Sequence, residues 1–372
     1  MPATCKDLMD IVETMAPLSL ALPWDNPGLA AGSPSDPVRR VLLALDATSE
    51  VIGEAAALEA DMLITHHPLL FSPAKTLRRD TPTGAKLSAL IKHNIAAYSA
   101  HTNLDIARGG VNDMMCRKAG LLDVEFLVET KATALNKIIV YVPKGFEEKV
   151  REAMFSAGAG HIGGYSHCSF SVSGEGGFMP LSGADPFIGE VGRYEKTPET
   201  RIETVVPEPM TAAVVSAMRA AHPYEEAAYD VFRLEIKGPA EGLGRFGRLP
   251  APMRFGDFAA KFKSALGLGS MRISGNPERT VEKIALCTGA GADLTGRAAE
   301  AGAEVFITGD LRYHETQNAL DAGLCLIDAT HYAGENLVIP ALADYIKQKA
   351  AERGFELEVL QSKINGQTFL DI

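Results

Sequence analysis

The sequence predicts an α/β protein in which a duplicated, parallel-type α/β parent domain is split by an inserted α+β domain. Three observations predict it. Short apolar runs alternate with helical stretches, and each run ends at polar residues. One strand–turn–helix–strand pattern occurs twice, far apart in the chain. Between the two copies lies a segment with a strand and helix order of its own.

The first copy runs from Val41 to His67. Val41-Leu42-Leu43-Ala44-Leu45 reads as a strand ending at Asp46, Ser49 to Ala60 as a helix, and Met62-Leu63-Ile64-Thr65 as a strand before His66-His67. Ala96-Ala97-Tyr98-Ser99 then leads towards His101. The second copy runs from Val281 to Asp310: Ile284-Ala285-Leu286 ends at Cys287-Thr288-Gly289, Leu294 to Ala301 is helical, and Val305-Phe306-Ile307-Thr308 ends at Gly309-Asp310. Leu324-Cys325-Leu326-Ile327 leads into Asp328 and His331. Strands alternating with helices imply parallel sheets covered on both faces. Such sheets bind ligands at the carboxyl ends of their strands.

Metal-ligand candidates gather at those ends. His101-Thr102-Asn103-Leu104-Asp105 and His331-Tyr332-Ala333-Gly334-Glu335 each set a histidine four positions before a carboxylate. On a helix these two positions share a face; Asp105 can instead lie on a loop, since Ala107-Arg108-Gly109-Gly110 follows. With His66-His67, four of the nine histidines fall in three clusters. Imidazole nitrogen and carboxylate oxygen suit first-row divalent metals, and there are more candidates than one closed ion needs. The pattern predicts two divalent ions per chain, bridged by carboxylate and held by both halves. Zinc, iron and manganese are the expected metals.

Other residues carry weaker signals. Asp46 ends a strand beside the clusters and is a candidate to hold a ligand histidine. Asp310 and His314 follow the second-copy strand where His66-His67 follow the first; the alternative is a helix-capping aspartate and a partly exposed histidine. His101 is a neighbour, an orienting group or a proton shuttle. Cys287 to Asp293 is glycine-rich, but it lacks phosphate-loop spacing and a following Lys-Ser or Lys-Thr. Trp24 is expected to pack beside Leu29. His161, His167 and His222 are expected at the surface or in packing.

The segment from about Lys137 to Ile236 reads strand (Lys137 to Val142), helix (Phe146 to Ala157), strands (Tyr165 to Val172, Arg201 to Val206), helix (Met210 to Ala221) and strand (Ala228 to Glu235). That order is the split βαβ, ferredoxin-like arrangement. Ser173 to Gly192 is expected as a long exposed hairpin or loop, and Gly238 to Gly244 as a return linker. The expected domains are 1–130, 131–238 and 239–372, the middle one inserted at an exposed loop of the parent.

At 372 residues the chain is long enough for more than one domain. A net charge of −11 argues against a nucleic-acid-binding surface. No apolar run has membrane-spanning length, and Met1 to Asp10 is polar and mixed, unlike a secretory leader. Five scattered cysteines without C-x-x-C suit buried thiols rather than a disulfide frame. A soluble, cytoplasmic protein is expected.

With these residues in view, the chain resembles the GTP cyclohydrolase I type 2 homologue family, also called Ngg-one-interacting-factor-three-like proteins. The matching stretches are Trp24-Asp25-Asn26-Pro27-Gly28-Leu29, Thr65-His66-His67-Pro68-Leu69-Leu70-Phe71, His101-Thr102-Asn103-Leu104-Asp105, Thr308-Gly309-Asp310 followed by His314, and Asp328-Ala329-Thr330-His331 with Glu335. They span nearly the whole parent domain and occur in the family's order. Pro27 replaces an expected apolar residue. The resemblance implies a dinuclear metal site, a ring-shaped homohexamer and, in longer members, a PII-like insert. It also implies His66, His67, Asp105, His331 and Glu335 as ligands, with Glu335 bridging. Two functions suit this pattern. One is a metal-dependent hydrolase of a nucleotide or related small molecule, such as a GTP cyclohydrolase-like or phosphoester hydrolase, with His101 moving the proton. The alternative is a non-catalytic metal-dependent regulatory or binding protein whose insert senses a ligand or partner.

Overall fold

In the computed structural model, which describes residues 2–369, the apolar runs of the first half form parallel strands Arg40–Ala44, Met62–Thr65 and Ala96–Ser99. Successive side chains of a strand point to opposite faces, and here both faces are apolar. Val41, Leu43, Met62, Ile64 and Tyr98 pack with helices Cys5–Met15 and Val338–Glu352. Leu42, Leu63 and Ala97 pack on the other side with Ser49–Ala57 and Pro82–Lys92. Thr4, Thr48 and Thr81 cap three of these helices through their side-chain oxygens, each contributing about 1 kcal/mol.

The second half repeats the arrangement. Thr280–Leu286, Val305–Thr308 and Cys325–Asp328 are parallel. Ile284, Leu286, Val305, Ile307 and Ile327 face Val111–Ala119 and Phe255–Ala265. Ala285, Phe306 and Leu326 face Thr295–Glu300 and Tyr313–Asp321. Each sheet also carries an antiparallel edge strand: Gly28–Ala31 pairs Gly28 with Ser99, and Arg272–Ser274 pairs Arg272 with Asp328. Antiparallel pairing brings the first residue of each edge strand to the carboxyl ends of the parallel strands. That is how Asp25 reaches the site described below.

The chain divides into two units, Met1–Lys131 with Glu241–Ile372, and Ala132–Ala240. Strands Leu122–Pro143 and Tyr229–Arg254 run through both divisions. Gly238 to Gly244, expected as a linker, is therefore strand. A Cβ on Gly242 would lie 2.5 Å from the Val128 carbonyl oxygen, and one on Gly244 2.9 Å from that of Leu286. Close backbone approach, not a break in the fold, is the use of glycine here. In the same unit Arg245 is 1 % exposed. It pairs with Asp113 at 2.5 Å and donates to the carbonyls of Gly242, Gly244 and Ala107. Losing one partner of such a buried pair costs about 3–5 kcal/mol. This contact ties the two sequence halves of the unit together.

The unit Ala132–Ala240 follows the order strand, helix, strand, strand, helix, strand. Glu195–Pro207 lies between Ser169–Phe178 and Leu122–Pro143, antiparallel to both, and Tyr229–Arg254 flanks Leu122–Pro143. Helices Glu147–Ser156 and Thr211–Ala221 bury Val150, Met154, Val214 and Met218 against Ile138, Val140, Val142, Ile202 and Val206. The stretch from Ser173 to Gly192 is not all loop, because Ser169–Phe178 pairs as far as Phe178 with Glu195. The five cysteines are free, and Cys5, Cys116, Cys287 and Cys325 are buried. Among the described residues no helix is long and apolar enough to cross a membrane.

Thr130 Oγ1 donates to the Glu241 carbonyl at 3.3 Å, so the two ends of the first unit meet as strand neighbours. Replacing Ala132–Ala240 with Asn-Gly, a two-residue hairpin turn, is expected to leave a soluble protein with one cooperative thermal transition. An insoluble or non-cooperatively melting product would show that the division is misplaced.

Candidate metal centre

Strand ends deliver every side chain of the site. His66 and His67 follow Met62–Thr65, and His101 follows Ala96–Ser99 and begins helix Thr102–Ile106, which carries Asp105. His331 and Glu335 sit on helix His331–Glu335, after Cys325–Asp328. Thr330 starts that helix by accepting from Ala333 N. Its φ of +61° is strained for a β-branched residue, and such strain concentrates at functional sites.

His66 is 1 % exposed, and its Nδ1 donates to the Ala100 carbonyl at 2.8 Å. This leaves Nε2 buried with no hydrogen-bond partner. It lies 3.6 Å from Asp105 Oδ1 and 3.8 Å from Glu335 Oε1. His67 donates from Nδ1 to Asp46 at 2.7 Å, and His331 from Nδ1 to Asp310 at 2.7 Å. Their Nε2 atoms stand 2.9 and 3.0 Å from Glu335 Oε2 and 3.3 Å from each other. Glu335, 3 % exposed, thus turns one oxygen towards His66 and the other towards His67 and His331, and Asp105 offers a donor within 4.8 Å of those of His66 and Glu335.

His101 is held the same way. Its Nδ1 donates to Asp25 at 2.8 Å, and the other Asp25 oxygen accepts from Thr102 N and Oγ1 at 3.0 and 2.5 Å. Its ring centroid lies 5.3 Å from that of His66 and 5.6 Å from that of His67. Each imidazole therefore has one nitrogen fixed by a carboxylate or carbonyl and the other turned into the site, the usual tuning of a metal-ligating histidine.

Glycines make room for the carboxylate. A Cβ on Gly289, whose φ is +66°, would sit 2.3 Å from Glu335 Oε1, and one on Gly309 would sit 2.7 Å from His331 N. The glycine-rich turn after Thr280–Leu286 is shaped for Glu335, and Gly291 N is already taken by Thr308 Oγ1.

Charge dominates the electrostatics. Burial opposes protonation of His67, yet hydrogen bonds to Asp46 and Glu335 push it up to about 10. Glu335 and Asp310 raise His331 to about 9 against its burial. Burial works against ionised Glu335, but His331, His66 and His67 hold it well below the carboxylate range. Burial likewise opposes ionised Asp25, which His101 and Thr102 hold at about 2. Carboxylates of Asp25, Asp46, Asp105, Asp310 and Glu335 converge on four imidazoles, an excess of negative charge that protons or cations must balance. Donor atoms fall within 4.8 Å of one another in three groups: His66, His67 and His101; His67, His331 and Glu335; His66, Asp105 and Glu335. The orphaned His66 Nε2 and the mixed nitrogen and oxygen donors fit divalent metal ions.

The structure brings His66, His67, His101, Asp105, His331 and Glu335 together, with Asp46 and Asp310 behind two of the histidines. It leaves His314 out: exposed, it pairs with Gln317 at 3.1 Å. Trp24 does not pack as expected; it is 61 % exposed, and its ring stands 6.0 Å from His101. Sequence reasoning missed the role of Asp25. The signal available was its place just before the Gly28–Ala31 edge strand.

A cluster of histidines and carboxylates able to hold metal, at strand ends of two α/β sheets, defines a class, and comparison with known proteins supplies the family. Residues 3–367 match Duf34/NIF3 (NGG1p interacting factor 3), and the chain belongs to that family. It is 40 % identical over 364 residues to a GTP cyclohydrolase 1 type 2 homolog of Bacillus subtilis, covering 98 % of this chain and 97 % of the relative. A homolog of the same name from Mycobacterium tuberculosis is 41 % identical over 333 residues, covering 88 % and 87 %. The crystal structure of a Bacillus cereus protein related to NIF3 superposes with a TM-score of 0.94 at 38 % identity and covers 100 % of both chains.

Gly289→Ala forces a side chain into a left-handed backbone position and against Glu335. It is expected to weaken metal affinity about 10–100-fold, as displaced supporting groups do, in competition with a chromophoric chelator. Unchanged affinity would mean that the Glu335 position is not what holds metal.

Proposed function

We propose that the chain is a dinuclear metal-dependent hydrolase acting on a nucleotide or related small molecule. One observation carries the reading: the two oxygens of Glu335 address two different donor sets, with His101 beside both. His66 and Asp105 would hold one ion and His67 and His331 the other, with Glu335 shared between the two groups. Zinc, iron and manganese all suit these donors. When bound, two such ions supply Lewis-acid polarisation of the attacked group and lower the pKa of water.

His101 does the proton work. Asp25 fixes its Nδ1–H, so Nε2 is the basic atom in the site. Hydrolysis takes one proton from the attacking water and delivers one to the leaving nitrogen or oxygen. His101 Nε2 accepts the first and returns it, and the Asp25 carboxylate stabilises the imidazolium between the two events. Trp24 and Phe71, both largely exposed, approach His101 at 6.0 and 5.6 Å. Two aromatic faces beside the proton shuttle suit a planar base, which agrees with the cyclohydrolase name of the relatives. The reading includes a PII-like, ferredoxin-like insert at 132–240, supported by its strand order, a duplicated parent domain, supported by its two matching sheets, and the family's homohexameric ring.

His101→Ala is expected to keep its metal while turnover falls roughly 10²–10⁴-fold. The assay is a screen of nucleotides and phosphoesters with zinc, iron or manganese added, beside elemental analysis. Metal loss would make His101 a ligand, and unchanged turnover would remove it from the mechanism. No turnover by the unsubstituted protein across the screen would favour a regulatory, non-catalytic role.

A further inference from the structure

The unit Ala132–Ala240 contains a cavity of about 260 Å³ that no step above uses. Its walls are aromatic: Phe178, Phe187 and Tyr224, with ring centroids 6.0 Å apart for Phe178 and Tyr224 and 6.2 Å for Phe187 and Tyr224. Phe187 stands on an exposed loop, yet its ring is held edge-on by Phe146 at 5.5 Å. Glu199 also lines the cavity, is 9 % exposed, and accepts a hydrogen bond from the Tyr224 hydroxyl at 3.1 Å. Burial, then Glu199, pushes the Tyr224 phenol up to about 12, so it stays a donor.

Glycine leaves this carboxylate its place. A Cβ on Gly176 would lie 2.1 Å from Glu199 Oε2, and one on Gly177 2.2 Å from the Tyr194 hydroxyl. Glu225 and Glu226 line the cavity too, and among its described lining residues there is no Lys, Arg or His. Arg219 meets Glu226 at 3.6 Å, with both side chains exposed. Three carboxylates and no cation repel a phosphate-bearing ligand. An inorganic ion would need several converging oxygens, whereas aromatic faces and Pro and Ile side chains make up much of this wall. Aromatic rings around one buried carboxylate are the chemistry that recognises an organic cation.

We propose that this cavity binds a small organic cation of the alkylammonium or quaternary ammonium class. The cation rests against Phe178, Phe187 and Tyr224, and Glu199 supplies the counter-charge. Tetramethylammonium has no lone pair to offer a metal, so its binding separates this cavity from metal coordination. Isothermal titration of the full-length protein with choline and with tetramethylammonium tests it. Saturable one-to-one binding is expected, and 3,3-dimethylbutan-1-ol, the neutral isostere of choline, should bind about tenfold more weakly. Phe187→Ala, on an exposed loop whose loss spares the core, should weaken choline about tenfold, and so should Glu199→Gln. The proposal is overturned if choline shows no saturable binding at millimolar concentration, if the neutral alcohol binds as tightly, or if neither substitution changes affinity.

Discussion

The carboxylate of Glu335 is almost sealed from water, and its two oxygens meet different partners. A lone buried carboxylate is costly to ionise, yet His331, His66 and His67 keep this one charged. The rest of the site is arranged around that constraint. Gly289 and Gly309 lack the side chains that would displace Glu335 or its helix. Thr330 accepts a strained backbone angle to start the helix where both His331 and Glu335 face inward.

Behind the inner ring stands a second set of groups with one shared task. Asp46, Asp25, Asp310 and the Ala100 carbonyl each take the Nδ1 proton of one imidazole. This fixes all four rings with Nε2 turned inward, so the inner surface is an array of imidazole nitrogens and carboxylate oxygens. Parallel sheets place such residues at the carboxyl ends of their strands. The antiparallel edge strand Gly28–Ala31 adds Asp25 from the opposite chain direction. The fold therefore supplies both the donors and the groups that orient them.

Much of this was legible in the sequence, for physical reasons. Runs such as Met62–Thr65 and Val305–Thr308 are apolar on both faces because helices cover both, and that pattern survives in a single sequence. The spacing of His331 and Glu335 reads directly as one helix face. Asp25 was not legible in its role, because its partner lies 76 positions away and only sheet pairing joins them. Glycines 238 to 244 read as punctuation, whereas Gly242 and Gly244 serve close backbone approach inside a strand, a tertiary demand invisible locally. Trp24, a single apolar residue without a period around it, carries no sign of which way it faces. Ser173 to Phe178 looked like loop for want of apolar residues, yet its glycines admit Glu199 and Tyr194 from neighbouring chain segments.

The proposed function requires Glu335 to join two ions into one centre. Elemental analysis after gel filtration, on the unsubstituted protein and on Glu335→Ala reconstituted with zinc, tests it most directly. About two equivalents of metal per chain are expected for the first, and less than one for the variant, because both donor sets would lose an oxygen together. Two full equivalents retained by Glu335→Ala would contradict it.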